Sequence, residues 1–115
     1  MKRVPAVFLL AIVGSVWPHF AVAQESDMEA TQRAYVGCLL ASAQKMDDQR
    51  SDAAAIARII MPLCASEFAA AKAAWGRTAP NPAAAQMLYD KMDAGQIQLA
   101  TAAVLQVRKD KENSN

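Results

Sequence analysis

Cys38 and Cys64 constrain this chain more than any other feature, because a bridge between them closes a loop of 27 residues. In the chain-entropy account such a loop is worth about 3.5 kcal/mol, a large share of a small domain's margin. The two can meet only if the residues between them turn the chain back on itself. An even cysteine count in a short exported chain favours a structural disulfide over free or intermolecular thiols. The pair lacks the C-x-x-C spacing of thioredoxin-like sites and the C-x-x-C-H of haem attachment. Two thiolates without a histidine also make a poor zinc set.

Export is expected from the N-terminus. Met1, Lys2 and Arg3 supply a positive start, residues 6–16 an apolar stretch, and Ala21-Val22-Ala23 a small-x-small end. This order predicts a signal peptide over residues 1–23, cut between Ala23 and Gln24. The apolar stretch falls short of the roughly 20 residues a bilayer span needs, and Trp17-Pro18-His19 interrupts it. No cysteine follows the cut to carry a lipid, and no later apolar run is expected to span a membrane. The predicted destination is the periplasm, with release to the medium as the alternative.

Removing the first 23 residues leaves 92, with ten basic and eleven acidic side chains, a formal charge of −1 and no histidine. That balance excludes a strongly basic nucleic-acid binder and any site built on imidazole. Twenty-two of the 92 are alanine, so the core is thin for its length and a homodimer is a natural way to thicken it.

The remaining pattern is helical throughout, with no strand-like alternation. Ser26 followed by Glu29 is a capping box opening a helix over about 27–48. Tyr35, Cys38, Leu39, Ser42 and Met46 form its apolar side. The polar run Asp47-Asp48-Gln49-Arg50-Ser51 reads as a turn, with Ser51 or Asp52 capping a second helix to about residue 75. Its face is Ala53, Ile56, Ile60, Cys64, Phe68, Ala71 and Trp75, and Pro62 should kink or split it. Gly76 is placed to cap its end.

Counting back from the turn to Cys38 and forward to Cys64 gives about 15 and 18 Å of helix, so the two cysteines lie at nearly the same height. Close approach calls for small neighbours, here Ala34, Gly37 and Ala41 around Cys38, and Ala57 and Ala71 one face-repeat from Cys64. After the rigid link 78–82, Asn81 and Pro82 read as N-cap and first residue of a third helix over about 82–107. Its buried side is predicted as Leu88, Met92, Leu99 and Ala103, flanked by Tyr89 and Val107; Gly95 reads as a soft point in a single helix, with a break there as the alternative. The fold class is therefore all-α, a disulfide-bridged antiparallel hairpin plus a C-terminal helix. It forms a single domain over 24–107, with 108–115 as a frayed tail.

Tyr35-x-x-Cys38-Leu39, Asp47-Asp48, Ser51-Asp52-Ala53, Ile56-Ala57 and Cys64-x-x-Glu67 together resemble a pattern in small exported two-cysteine proteins of proteobacteria. The resemblance spans about residues 35–67. It implies a disulfide-linked helical hairpin and periplasmic export, and brings no activity with it. At class level the chain is also similar to the HdeA-type periplasmic acid-stress chaperones, although its cysteines sit closer together than theirs.

The chemistry-bearing residues do not assemble an expected active site. The cluster Asp47, Asp48 and Asp52 lacks the spacing and closing glutamate of a calcium loop. Asp90 and Asp93 fall one turn apart on a polar face. Ser42, Ser51 and Ser66 have neither a G-x-S-x-G turn nor a histidine base. No catalytic residue, metal or cofactor is expected. Phe68, Trp75 and Tyr89, with Met61, Met87 and Met92, are core by spacing. They are also the best candidates for an adaptable contact surface, Trp75 foremost. A non-enzymatic binding or stress-protection module with a protein partner or client is the expected function. The alternatives are an accessory subunit docking on a larger envelope complex and, if the cysteines cycle, a thiol oxidoreductase.

Overall fold

Ser26 opens the first helix as the capping box predicts: its hydroxyl accepts the Glu29 backbone N–H at 3.2 Å and faces the Glu29 carboxylate at 3.3 Å. The computed structural model describes residues 26–114. The predicted signal peptide and its cut between Ala23 and Gln24 lie outside the described residues. Helix α1 runs Asp27–Met46, α2 Ala53–Ile60 and α3 Ala65–Gly76, with a 3-10 turn, Met61–Cys64, between the last two; α4 runs Pro82–Asn113. Pro62 sits in that 3-10 turn, so the second arm splits where the missing N–H and the ring forbid a straight α-helix.

The arms are antiparallel. Arg77 after α3 reaches Asp27 at the start of α1 (3.2 Å), and Lys72 of α3 meets Asp93 in the first half of α4 (2.8 Å). Arg108 near the end of α4 meets Asp47 at the end of α1. Cys38 and Cys64 form a disulfide with Cα atoms 5.9 Å apart, tying α1 to the 3-10 turn. The Ser42 hydroxyl lies 3.6 Å from Cys64 Sγ; a disulfide sulfur carries no proton, so Ser42 is the donor.

The small neighbours expected around the bridge divide. Ala57 and Ala71 are buried, whereas Ala34, Gly37 and Ala41 are exposed, and a Cβ on Gly37 would meet nothing within 4 Å. Close approach is permitted from the Cys64 side, where the tighter 3-10 turn brings the backbone in.

The core joins Tyr35, Leu39 and Ala43 of α1 to Ala53, Ile56, Ala57 and Ile60 of α2, and to Ala100, Ala103, Val104 and Val107 of α4, around Cys64. Half of the buried apolar residues among those described are alanine, so each helix crossing is close but removes little apolar area from water. Met46, predicted on the buried side of α1, is 45% exposed; Ala43, one residue round the helix from Ser42, takes the inward position. On α4 the buried stripe is 100, 103, 104 and 107, while Leu88 and Met92 are only half-buried and Leu99 is 38% exposed. The first half of α4 lies against α3 and meets α1 only across a cleft lined by Gln32 and Tyr35, so its larger side chains stay part-exposed.

Gly95, read as a soft point in a single helix, does not break α4, which is continuous for 32 residues. Two further expectations are corrected. Residues 108–113 are helical rather than frayed, because Arg108 is fastened to the hairpin turn. Gly76 is no left-handed cap, since no described glycine has positive φ. It is small because the Tyr89 ring lies against it: an added Cβ would fall 2.7 Å from Tyr89 Cζ and 2.8 Å from Cε1. Asn81 does cap α4, accepting the Ala84 N–H at 2.8 Å. Residues 53–76 are long and apolar enough, by length and composition only, to cross a membrane, with an 18-residue window of mean hydropathy 1.5, whereas the sequence pattern predicts no such run. Here their inner side packs on α1 and α4.

Replacing both cysteines by alanine should lower the unfolding free energy by about 3.5 kcal/mol, read from urea denaturation against the oxidised parent. Gly95→Ala should raise it by about 0.8–1 kcal/mol. Gly76→Ala should lower it by about 1–3 kcal/mol through the clash with Tyr89. Thermal melts of the two glycine variants on opposite sides of the parent would check the pair.

Candidate functional site

Where α1, α3 and the first half of α4 meet, the thin core gives way to a cleft of about 320 Å³. Helix α3 contributes Phe68, Ala71 and Trp75, and α1 contributes Gln32 and Tyr35. The α4 wall is Leu88, Met92, Gly95, Gln96 and Leu99. A second, more open cleft of about 590 Å³ lies across Phe68, between α3 and α4, with Met61, Lys72 and Tyr89 in its lining. Phe68 and Gln96 belong to both clefts.

The candidate contact residues therefore come together: Phe68 stands between the clefts, Trp75 in the first and Tyr89 in the second. Met61 and Met92 join them, whereas Met87 is 65% exposed and lines neither. What the sequence pattern misses is Tyr35, assigned there only to a helical stripe. Its ring meets Phe68 at 5.1 Å between centroids. Helical spacing marks Tyr35 as inward, but only packing shows that its hydroxyl is buried, with the Gln96 side chain beside it and no well-formed hydrogen bond between them. Burial raises the Tyr35 hydroxyl pKa above its usual value, and the neighbouring Gln96 side chain pulls it back in part, so the group stays protonated.

The clefts differ electrostatically. No charged side chain lines the first. In the second, Lys72 Nζ lies 5.3 Å from the Phe68 ring centre and 5.6 Å from that of Tyr89, within cation–π range of both. It is held there by Asp93.

The acidic turn does separate work. Asp48 Oδ1 accepts the backbone N–H groups of Arg50 (2.9 Å) and Ser51 (2.8 Å), and Oδ2 the Ser51 hydroxyl at 2.6 Å. These bonds hold its carboxyl well below the usual range and support Gln49 in the left-handed region at φ 61°. Asp47, its side chain fully buried, takes a two-pronged grip from Arg108, Nε to Oδ2 at 3.0 Å and Nη2 to Oδ1 at 2.8 Å. Arg108 also donates to the Ser51 carbonyl at 2.6 Å. The Asp47 carboxyl is lowered chiefly by this Arg108 bond, with burial opposing. Asp52 caps α2 through its backbone carbonyl, with no side-chain cap bond. Among the described residues no group of three or more His, Cys, Asp or Glu is placed to hold a metal ion.

Comparison of the chain with protein-family models, with curated proteins and with solved structures finds no match.

The Asp47–Arg108 latch carries a pH dependence of definite sign. A carboxyl depressed by folding contributes its full stability above its unfolded value of about 3.9, and that stability is lost as pH falls through the lower folded value. The thermal midpoint should therefore hold from neutral pH to about 4 and then fall. Asp47→Asn should be less stable at pH 7 and show a shallower acid slope, as measured by circular-dichroism melts across pH.

Proposed function

We propose that this chain is an exported, non-enzymatic binding module of the stress-protection kind. It acts through the apolar face where α1, α3 and α4 meet, and its clients are proteins with exposed apolar segments. The observation that carries the reading is the gathering of half-buried Phe68, Trp75, Tyr89, Leu88 and Met92 around two adjoining clefts. A core would bury such side chains fully, and scattered surface residues would not adjoin. Methionine and aromatic rings together suit varied apolar partners. The disulfide within the hairpin supports an oxidising compartment, and the order of charge, apolar stretch and small residues before Gln24 supports export to the periplasm.

The test is suppression of light scattering by heat-denatured malate dehydrogenase at neutral and acid pH. The oxidised protein at molar excess should suppress it. Trp75→Ala should suppress it less while keeping its helical signal. Scattering unchanged by the parent protein at either pH would overturn the reading.

A second reading, an accessory subunit of an envelope complex, has its own observation. Ile59 and Leu63, one turn apart on the outer side of the second arm, are 47% and 56% exposed. A photo-crosslinking residue at position 63 would trap one stoichiometric partner in the native envelope under this reading, and none under the first.

A further inference from the structure

We propose that the groove between α1 and α4 is where a second copy of this chain docks, the two α4 helices lying antiparallel about a two-fold axis that passes midway between Gly95 and Leu99. This interface stands independently of client binding, although the two share Leu88 and Met92, so that a client and a second copy compete for that end of the groove.

Helix α4 carries two apolar stripes. Ala100, Ala103, Val104 and Val107 face the bundle and are buried. Leu88, Met92, Gly95, Leu99, Ala102 and Gln106 recur at alternating steps of four and three, the spacing of a coiled-coil seam, yet every one of them is at least part-exposed. They line the cleft of about 320 Å³ and a further cleft of about 180 Å³, and Leu99 belongs to both. On α1, Gln32, Val36 and Leu40 form the opposite wall. No charged side chain lines either cleft, so two such faces meet without stranding a charge.

The order of side-chain sizes selects the occupant. Under the two-fold, Gly95 falls opposite the partner's Leu99, and Met92 opposite the partner's Ala102. Large meets small at each central level, and symmetry repeats each pairing. Leu88 and Gln106 close the two ends. A parallel pair would instead set leucine on leucine and glycine on glycine, crowding one level and leaving a void at the next. Gly95 has no positive φ to require it and costs helix stability. A Cβ added there would meet nothing within 4 Å, so within one copy the notch is empty.

Helix α1 obeys the same axis. It runs parallel to α4, and the Asp47–Arg108 pair fixes their offset at 61 residues. The midpoint of the α4 seam therefore stands level with Val36, at the middle of the uncharged run on α1. The axis then sets Val36 on its counterpart and Gln32 opposite the partner's Leu40. Area is sufficient too. Residues 88 to 106 span about 27 Å, and two helices of about 10 Å diameter give a face of about 540 Å² per copy. Two such faces clear the roughly 1,000 Å² expected of a specific interface.

Sedimentation equilibrium of the oxidised chain should show reversible monomer–dimer exchange with a Kd of about 1–100 μM, as suits an interface of that size. Ala102→Glu, which brings carboxylates into the apolar seam, should weaken it at least about a hundredfold. Gly95→Leu, which fills the notch, should weaken it about tenfold. Ala102 is exposed and Gly95 unobstructed, so in dilute solution, where the parent is also monomeric, both variants should melt no lower than the parent. That separates loss of the interface from loss of the fold. A benzophenone side chain at position 106, in a mixture of light and heavy isotope-labelled chains, should crosslink between copies to the segment around Leu88.

A parent that stays monomeric up to about 1 mM, a dimer that Ala102→Glu leaves intact, or crosslinks from position 106 to its own counterpart or to Ile59 and Leu63 would each overturn the proposal. The scattering assay is independent. A dimer without client protection leaves this interface standing and removes the client reading, and protection by a strict monomer does the reverse.

Discussion

The bridge between Cys38 and Cys64 sets the spacing on which the rest of the bundle depends. Holding two Cα atoms 5.9 Å apart, each about 2.3 Å from its helix axis, fixes α1 against the second arm at no more than about 10.5 Å between axes, close to the ordinary packing distance of helices. Small side chains line the seam on the Cys64 side. Ala57 and Ala71 do so, and seven alanines stand among the buried apolar residues described. The cost is a core with little apolar area per residue, which the covalent constraint on the unfolded chain offsets.

The same seam explains why α4 is packed unevenly. Its second half lies in the groove between α1 and α2, where Ala100, Ala103, Val104 and Val107 are buried, and Arg108 locks that end to the turn through Asp47. Its first half faces α3, an arm displaced by the 3-10 turn at Pro62. There the larger side chains Leu88, Tyr89 and Met92 reach across the gap without closing it. A tight end and an open end on one continuous helix place the clefts beside Trp75 and Phe68, away from the disulfide.

Much of this was legible in residues read singly. Ser26 with Glu29, Asn81 with Pro82, and Pro62 act through local backbone chemistry, and each produces the start or break its type predicts. The disulfide was legible from cysteine count and helix rise. The predicted stripe on α4 failed because the 3.6-residue repeat shows which residues share a face, not which stretch of that face another helix covers. Leu99 and Ala103 lie on one stripe, yet one is exposed and the other buried. The candidate trio Phe68, Trp75 and Tyr89 was readable as aromatic residues near one helix end. Tyr35 was not, because the burial of its hydroxyl is a property of neighbours drawn from three helices.

Local chemistry in the sequence therefore determined the helices, their ends, the hairpin and its staple, because caps, proline and cysteine act over a turn or a countable length of chain. Only the tertiary structure decided that Arg108 buries Asp47, that Gly76 makes room for Tyr89, and that Gly95 stands beside a cleft. Each of those depends on residues 13 to 63 positions apart, brought together by how three thin helical arms settle around one fixed bridge. No periodicity along a single arm contains that information.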